Sequence, residues 1–290
     1  MPTQVDELPL VPWVELAQPH ERGFRQAVHI VLSAICASPE LSTQLVMKGG
    51  LLMALRYASP RFTRDIDFST PHRFREGDEA AISQQLSEQL VLASERLDYG
   101  VLCLVQRCTI QPKREERTFP SLSLSIGYAR QSDPGAMRRL QMRRSSAIVD
   151  IDYSYNEAVL DTELLRLGDG QALQVYSLKN LIAEKLRSLL QQPIRGRTRR
   201  QDVYDIHLLL ARCAPLDEQE QRGILDILLH SCSSRGISAD RSAISAEEVR
   251  AMAAKDYATL LDDVAQDLPP FEVAYASVER FYQQLPWPSA

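Results

Sequence analysis

The sequence has few cysteines and no long apolar run. Its 290 residues include five cysteines, an odd number with no Cys-x-x-Cys pair. Disulfide scaffolds and zinc sites use tighter, paired spacing, so we expect reduced thiols in the cytoplasm. The longest apolar stretches, such as residues 30–37, are too short to span a bilayer. The first residues also lack the basic n-region of a signal peptide. These absences favour a soluble, cytoplasmic protein without a membrane partner.

Neither sign of charge dominates the sequence. Lysine and arginine number 33 against 38 acidic residues, which gives a net charge of −5. With 44% hydrophobic residues and no internal repeats, the composition excludes a disordered, collagenous or repeat protein. The acidic balance argues against a generic nucleic-acid coat protein, although it allows a local basic surface.

The hydrophobic patterning predicts an α+β fold followed by a helical domain. We expect an extended, proline-rich N-terminal arm over 1–19, an α+β domain over 20–174 and a helical C-terminal domain over 175–290. Helices are predicted from about 20 to 38, over 51–57 and over 78–97. Further helices are predicted near 177–190, 202–212, 217–231, 246–262 and 271–284. Strands are predicted over 44–48, 65–68, 101–110, 121–126 and 147–155.

Two glycines and an Asp-x-Asp pair form the first candidate site. Lys48-Gly49-Gly50 lies between a predicted strand and a helix, where backbone N–H groups can bind phosphate. Alternation along a strand points Asp65 and Asp67 to the same side, and such a pair suits Mg²⁺. Two solvated acids on an edge strand are an equally good interpretation of this motif alone.

A second Asp-x-Asp pair lies in another predicted strand. Asp150 and Asp152 alternate with apolar residues, and buried acids require a partner. A metal ion shared with Asp65 and Asp67 would provide that partner, as in a two-metal phosphoryl-transfer site. Pairing with nearby arginines is the alternative.

A lysine interrupts the apolar stripe of the helix predicted over 178–190. The stripe consists of Leu178, Leu181, Ile182, Leu186 and Leu189. Lys185 falls inside it, whereas Glu184, Arg187 and Ser188 are expected to point away. A lysine in such a position needs an anion, such as a carboxylate cluster or a triphosphate. A lysine whose stem covers apolar surface is the alternative.

Four arginines within six residues precede the next helix. Arg195, Arg197, Arg199 and Arg200 form a candidate phosphate-binding loop for nucleotide or nucleic acid. Asp202 follows at the helix start, where a carboxylate is also an ordinary cap. A second basic cluster spans residues 138–144. A solvated surface is the default interpretation of either basic cluster alone.

The order of these motifs resembles a known family. The sequence contains, in order, Lys-Gly-Gly, Arg61-x-Thr63-x-Asp-Ile-Asp-Phe, an acidic strand, Ala-Glu-Lys-Leu and Arg-x-x-Asp-x-x-Asp-Ile. This series of motifs resembles that of the AbiEii/AbiGii-type nucleotidyltransferase toxins. That family belongs to the DNA polymerase β-like nucleotidyltransferases and acts in type IV toxin–antitoxin systems. The resemblance covers roughly residues 46–210 and implies a nucleotidyltransferase-like mixed β-sheet with flanking helices.

The resemblance also implies roles for individual residues. Asp65, Asp67 and Asp152 would bind two Mg²⁺ ions, and Asp152 matches the family's third acidic position by its spacing to Asn156-Glu157. Lys48, Gly49, Gly50, Arg61 and Thr63 would bind the NTP. Lys185 and Asp202 would be catalytic, and the arginines at 195–200 would contact RNA. Many relatives carry a lysine where this chain has Asp150, so the choice between Asp150 and Asp152 stays open.

The expected activity is therefore transfer of a nucleotide to RNA. The resemblance implies a toxin that adds NMP from NTP to an RNA acceptor, such as a tRNA 3′ end, and that has a cognate antitoxin protein. A nucleotide-binding regulatory module without transfer activity is one alternative. A nucleotidyltransferase acting on a protein or small-molecule hydroxyl is another.

Overall fold

The chain folds into two compact units that are not contiguous in sequence. The computed structural model describes residues 7–113, 118–168, 170–213, 215–264 and 268–288. The first unit contains the chain up to Arg56, Arg64–Glu157 and Thr162–Val175. The second contains Tyr57–Thr63, Ala158–Asp161 and the chain from Tyr176 onward.

Unit 1 contains a sheet and six helices within the described ranges. Its helices are α1 (Leu10–Glu15), α2 (Pro19–Ala37), α3 (Pro39–Gln44), α4 (Gly49–Arg56), α5 (Asp78–Leu97) and α6 (Pro134–Gln141). Its strands are β1 (Val46–Lys48), β2 (Asp65–Ser69), β3 (Val101–Gln111), β4 (Ser121–Arg130), β5 (Ile148–Ser154), β6 (Thr162–Arg166) and β7 (Ala172–Tyr176).

The sheet is mixed, and its order places β2 next to β5. Within the described ranges it has seven strands in the order β3-β4-β5-β2-β1-β7-β6. Pairing is parallel between β2 and β5 and between β1 and β7. It is antiparallel in β3–β4, β4–β5 and β1–β2. Residues more than 80 positions apart in the chain thereby become direct neighbours at the centre of the sheet.

One face of the sheet is apolar and lies against helices. The alternate residues Leu122, Leu124 and Ile126 of β4 are buried, as are Ile66 and Phe68 of β2. Helix α2 packs against β3, β4 and β5, and α5 packs against β3. Burial of the apolar set stabilises the sheet and directs the intervening polar residues to the opposite face.

A β-bulge changes which residues of β3 lie on each face. The β3–β4 register shifts between Val105 and Arg107, so Gln106 is the extra residue. The Gln106 amide donates to the Ser145 carbonyl at 3.1 Å and accepts from the Ser145 N–H at 2.6 Å. A Cβ at Gly127 would lie 2.6 Å from Cδ of Gln106, so this glycine makes room for the side chain.

Unit 2 is helical in its described part and is built around α7 (Leu178–Arg195). The other helices are α8 (Gln201–Arg212), α9 (Glu218–Ser233), α10 (Glu247–Ala254) and α11 (Phe271–Gln284), with 3₁₀ turns at Ala243–Ser245 and Tyr257–Asp262. The hydroxyl of Ser177 caps α7 by accepting from the Asn180 N–H. Asp217 and Glu220 form a capping box at the start of α9. These local signals set the helix starts.

The predicted outward position of Arg187 and Ser188 is wrong. Both are buried, each with 6% of its surface exposed. Helices α8, α9 and α10 all pack on α7, so little of its circumference remains open to solvent. Arg187 donates to the Gln191 side chain at 2.6 Å, and its Nη2 lies 3.7 Å from Oε1 of Glu184.

The structure confirms the predicted α+β class with helices after the sheet, and it differs in several elements. Residues 10–15 are helical rather than extended because Leu10 and Val14 are one turn apart and both buried. Residues 1–6 of the predicted arm lie outside the described residues. Pro39 ends one helix and begins α3, and the predicted 246–262 helix is interrupted after Ala254. Helix α6 and strands β6 and β7 are additions.

No helix in the described ranges is long and apolar enough to cross a membrane.

Replacing Gly127 by Ala should destabilise the protein. The new Cβ would collide with a Gln106 side chain that Ser145 holds in place, and such overpacking costs about 1–3 kcal/mol of unfolding free energy. Urea denaturation measures the change. Gly135→Ala is the control, because the nearest atoms there are at ordinary contact distances of 3.4 and 3.7 Å. Equal stability of the two variants would contradict the role assigned to Gly127.

Candidate active site

Four carboxylates lie on the polar face of the sheet, on two neighbouring strands. In the parallel pairing of β2 and β5, Asp65 is opposite Asp150 and Asp67 is opposite Asp152. Asp65 and Asp152 are exposed, and Asp67 and Asp150 are half-buried. Directly paired residues project to the same side of a sheet, so these four side chains share one face. We call them the acidic face.

Polar residues extend the acidic face onto both neighbouring strands. Lys48 of β1 is buried and lies opposite Asp67. On β4, Ser123 lies opposite Asp152 and Ser125 lies opposite Asp150. The two serines were not among the predicted site residues. The alternation of serine and leucine in β4 indicated that the serines share the polar face of this strand. It did not indicate that β5, with its aspartates, lies beside β4.

Gly49 is required by its contact with Asp67. Its φ is +72°, and a Cβ there would lie 1.9 Å from Oδ2 of Asp67. The carboxylate therefore sits directly over the backbone at the first residue of α4. Gly50, the next residue, is buried. The predicted glycine turn and the Asp-x-Asp pair are thus brought together, with Lys48 opposite Asp67 on β1.

The donor set of the acidic face fits a divalent cation such as Mg²⁺. Carboxylate oxygens are its usual protein ligands, and closely spaced carboxylates need a compensating charge. Asp67, held against the Gly49 backbone, occupies the position that a Cβ would fill. Within the described part of the chain, no three His, Cys, Asp or Glu side chains are already gathered as a metal-binding group. The strand register places the four carboxylates on one face. Their side chains would have to turn toward one another to coordinate a single ion.

Unit 2 contains a separate cluster of charges, all of them largely buried except Arg199, whose side chain is 47% exposed. Nζ of Lys185 lies 2.6 Å from Oδ2 of Asp205 and 3.6 Å from Oδ1 of Asp202. Nε of Arg61 lies 3.2 Å from Oδ1 of Asp205, and Nε of Arg199 lies 3.1 Å from Oδ2 of Asp202. We call these five residues the buried ion cluster. Lys185 thus lies in the apolar stripe and reaches carboxylates, as its position in the sequence suggested.

The buried ion cluster keeps the carboxylate of Asp205 charged. Burial acts to raise the pKa of Asp205, but the charges of Lys185 and Arg61 outweigh it and hold this pKa below its ordinary value. Burial acts to lower the pKa of Arg61, and Asp205 reverses that effect so that the pKa is raised. Three cations face two carboxylates, which leaves one positive charge in excess.

Asp205 is the cluster residue that was missing from the predicted site. It is fully buried and bonds both Lys185 and Arg61. The signal was its spacing of three residues from Asp202, which places both carboxylates on one side of α8. A sequence pattern could not reveal that Arg61, 144 positions earlier, is its second partner.

Arg61 and Thr63 lie in a segment that packs within unit 2. Besides the Arg61–Asp205 pair, the Phe62 N–H donates to the Asp263 carbonyl at 2.8 Å. Arg212 also donates to the Tyr57 carbonyl at 2.8 Å. Segment 57–63 is therefore fixed at several points, and Thr63 at its end is half-buried.

The predicted arginine loop is divided between exposed residues and ion pairs. Arg195 and Arg197 are exposed at the end of α7, where Gly196 has a φ of +59°. Arg199 pairs with Asp202, and Arg200 pairs with Asp263. In the second basic cluster, the arginines at 138, 139, 143 and 144 are all exposed. Part of the predicted phosphate-binding charge is therefore engaged by carboxylates of unit 2.

The acidic face and the glycine turn are the features of a nucleotidyltransferase, and the sequence comparison agrees. Residues 30–283 match the family model of the nucleotidyl transferase AbiEii toxin of type IV toxin–antitoxin systems. The protein is a nucleotidyltransferase. It belongs to the AbiEii toxin family.

Solved structures from Helicobacter pylori are similar to this chain at low identity. JHP933 is 14% identical, with a TM-score of 0.47 and 92% of each chain covered. A candidate nucleotidyltransferase from the same species is also 14% identical, with a TM-score of 0.48, 93% of this chain covered and 96% of that one. No curated protein is a significant match. The family assignment rests on the family model alone.

Replacing Gly49 by Ala should displace Asp67 and destabilise the protein. Both the clash with Oδ2 and the positive φ oppose a side chain there, with a strain of about 1–3 kcal/mol from the backbone alone. Gly100→Ala is the matched control, because Gly100 has a φ of +64° and nothing within 4 Å of the added Cβ. Urea denaturation of both variants separates the clash from the backbone strain. A Gly49 variant no less stable than the Gly100 variant would refute the close contact.

Replacing Asp205 by Asn should destabilise the protein in a pH-dependent way. Breaking a buried ion pair costs about 3–5 kcal/mol near neutral pH. Because folding lowers the pKa of Asp205, the stabilisation by its carboxylate is complete above the ordinary value of 3.8. It is lost as the pH falls through the lower pKa of the folded state. Denaturation curves from pH 7 downward should therefore converge for wild type and variant only below pH 3.8, and convergence nearer neutrality would contradict the lowered pKa.

Proposed function

We propose that this protein is a Mg²⁺-dependent toxin that transfers NMP from an NTP to an RNA acceptor. The observation that carries the proposal is the acidic face, with Asp65 and Asp67 in register with Asp150 and Asp152 and Asp67 seated on Gly49. A non-catalytic nucleotide binder does not need several carboxylates crowded on one surface. Their mutual repulsion costs stability that a function must justify.

Asp65, Asp67 and Asp152 are the proposed metal ligands. When bound, the cations neutralise charge on the phosphates and lower the pKa of the acceptor hydroxyl. Asp152 is exposed and can accept the proton of the acceptor hydroxyl as that oxygen bonds to the α-phosphorus. The bond from the α-phosphorus to the bridging oxygen breaks, and pyrophosphate leaves.

The glycine turn and the residues near it are the proposed NTP-binding set. Backbone N–H groups at Gly49 and Gly50 lie at the start of α4, where they and the helix dipole favour phosphate. Lys48 lies opposite Asp67 and balances its charge while the face is unliganded. The family resemblance also assigns NTP binding to Arg61 and Thr63, which precede β2 in the sequence.

Lys185 and Asp202 are proposed to act through the buried ion cluster. The cluster has one positive charge in excess, and such a charge favours an incoming phosphate. Asp202 has no exposed surface, and its ion pairs with Lys185 and Arg199 orient both cations. We therefore propose that Asp202 positions the cations of Lys185 and Arg199. Lys185 neutralises negative charge on the phosphates.

The proposed acceptor is RNA, such as a tRNA 3′ end. Exposed Arg195 and Arg197 offer charge to an RNA backbone, and Arg199 and Arg200, whose side chains are 47% and 34% exposed, add to it within their ion pairs. Membership in a type IV toxin–antitoxin family implies a cognate antitoxin as partner.

Incubation with total cellular RNA and each α-labelled NTP tests this proposal. We expect label in RNA of tRNA size with one or a few of the nucleotides, dependent on Mg²⁺. Asp67→Ala should reduce the labelling by about 10³-fold or more and abolish toxicity. Asp226→Ala, a change at an exposed residue of α9 that has no part in the proposed site, is the control and should retain both.

The same experiment distinguishes the alternatives. Label that appears only in protein or a small molecule would replace RNA with another hydroxyl acceptor. Toxicity that survives Asp67→Ala in a folded variant would instead favour a binding module without transfer. Circular dichroism of each variant establishes that it is folded.

A further inference from the structure

The bulge in β3 brings an arginine to the acidic face. Before the bulge, the odd-numbered residues Val101, Cys103 and Val105 are buried in the apolar core. The extra residue Gln106 reverses the alternation, so Arg107 pairs with Ser125 on the polar face. Without this extra residue, the arginine would point toward the helices.

Arg107 is linked to Asp150 through one hydroxyl. Nη2 of Arg107 donates to Oγ of Ser125 at 3.3 Å, and Oγ donates to Oδ1 of Asp150 at 2.7 Å. Ser125 is buried, with 5% of its surface exposed, while Arg107 is exposed. The Ser125 hydroxyl has one proton, which it donates to Asp150, and its lone pairs accept the hydrogen bond from Arg107. Donation therefore runs from Arg107 through Ser125 to Asp150.

We propose that Arg107 and Ser125 hold Asp150 away from the metal ligands and thereby leave Asp152 as the third ligand. This inference rests on the proposed function, because it concerns the metal set of that same site. Asp150 is a positioning residue in it and not a metal ligand.

The physical reason lies in the register of three strands. Asp150 has Asp65 opposite it on β2 and Ser125 opposite it on β4. Like charges directly opposite on neighbouring strands repel, whereas a charge-assisted hydrogen bond attracts. The carboxylate is therefore drawn toward β4, and the guanidinium of Arg107 compensates part of its charge. Two Asp-x-Asp pairs can then coexist on one face.

The Ser125 hydroxyl is the part of this arrangement that can be removed most cleanly. Without it, Asp150 is free to turn toward Asp65 and join the ligands, so Ser125→Ala should change the metal affinity. Ser125→Thr keeps a hydroxyl and should restore the wild-type affinity. Ser121→Ala is the matched control, because Ser121 lies on the same face of β4 opposite a serine, Ser154.

Titration of the intact protein with Mn²⁺ alone, followed by electron paramagnetic resonance of the free ion, tests the proposal. Asp152→Asn should weaken binding by about tenfold or more, and Asp150→Asn should weaken it by clearly less than Asp152→Asn does, because Asp150 donates no oxygen to the ion. Ser125→Ala should change the affinity by about threefold or more, and that change should vanish in the Asp150→Asn background. A purely structural role for Ser125 would not make its effect depend on Asp150.

The remaining outcomes overturn one proposal or both. A loss on Asp150→Asn as large as the loss on Asp152→Asn would make Asp150 a ligand and refute this inference alone. So would an effect of Ser125→Ala that persists in the Asp150→Asn background, or no effect at all. Wild-type protein that binds no Mn²⁺ would refute this inference together with the proposed metal-dependent function. Thermal unfolding of each variant is recorded beside its titration.

Discussion

The crowding of carboxylates on β2 and β5 is the constraint around which unit 1 is organised. Parallel pairing sets Asp65 against Asp150 and Asp67 against Asp152, and each like-charged pair costs free energy. The neighbouring strands supply compensation through Lys48 opposite Asp67 and through the Ser125 hydroxyl bonded to Asp150. The apolar residues that alternate with the acids are buried against helices, so the strands cannot slip to separate the charges.

Unit 2 meets a similar electrostatic demand in a different way. Asp202 and Asp205 are fully buried, which is tolerated because Lys185 and two arginines lie within ion-pair distance. Burial makes the pairs of Lys185 and Arg61 less sensitive to salt than surface pairs would be. Segment 57–63 is thereby fastened to α8 through Arg61, in addition to the backbone contacts of Phe62.

Much of the fold was predictable because its signals are local. The alternating serines and leucines of β4 predicted a strand, and the apolar spacing after residue 175 predicted the helices of unit 2. Helix α6 and strands β6 and β7 were not predicted, since short elements carry few periods of any pattern. For the site, the sequence placed Lys185 in an apolar stripe but could not name Asp205 as its nearer partner.

The sequence by itself determined the residue types, their alternation and the order of motifs that marks the AbiEii family, because these depend only on local spacing and chemistry. The tertiary structure decided which motifs meet. The β2–β5 register, the contact of Asp67 with Gly49 and the turning of Arg107 toward Ser125 all join residues distant in the chain. Such pairings depend on strand order and on one extra residue in β3. No local pattern encodes them, because they arise from how all the strands pack at once.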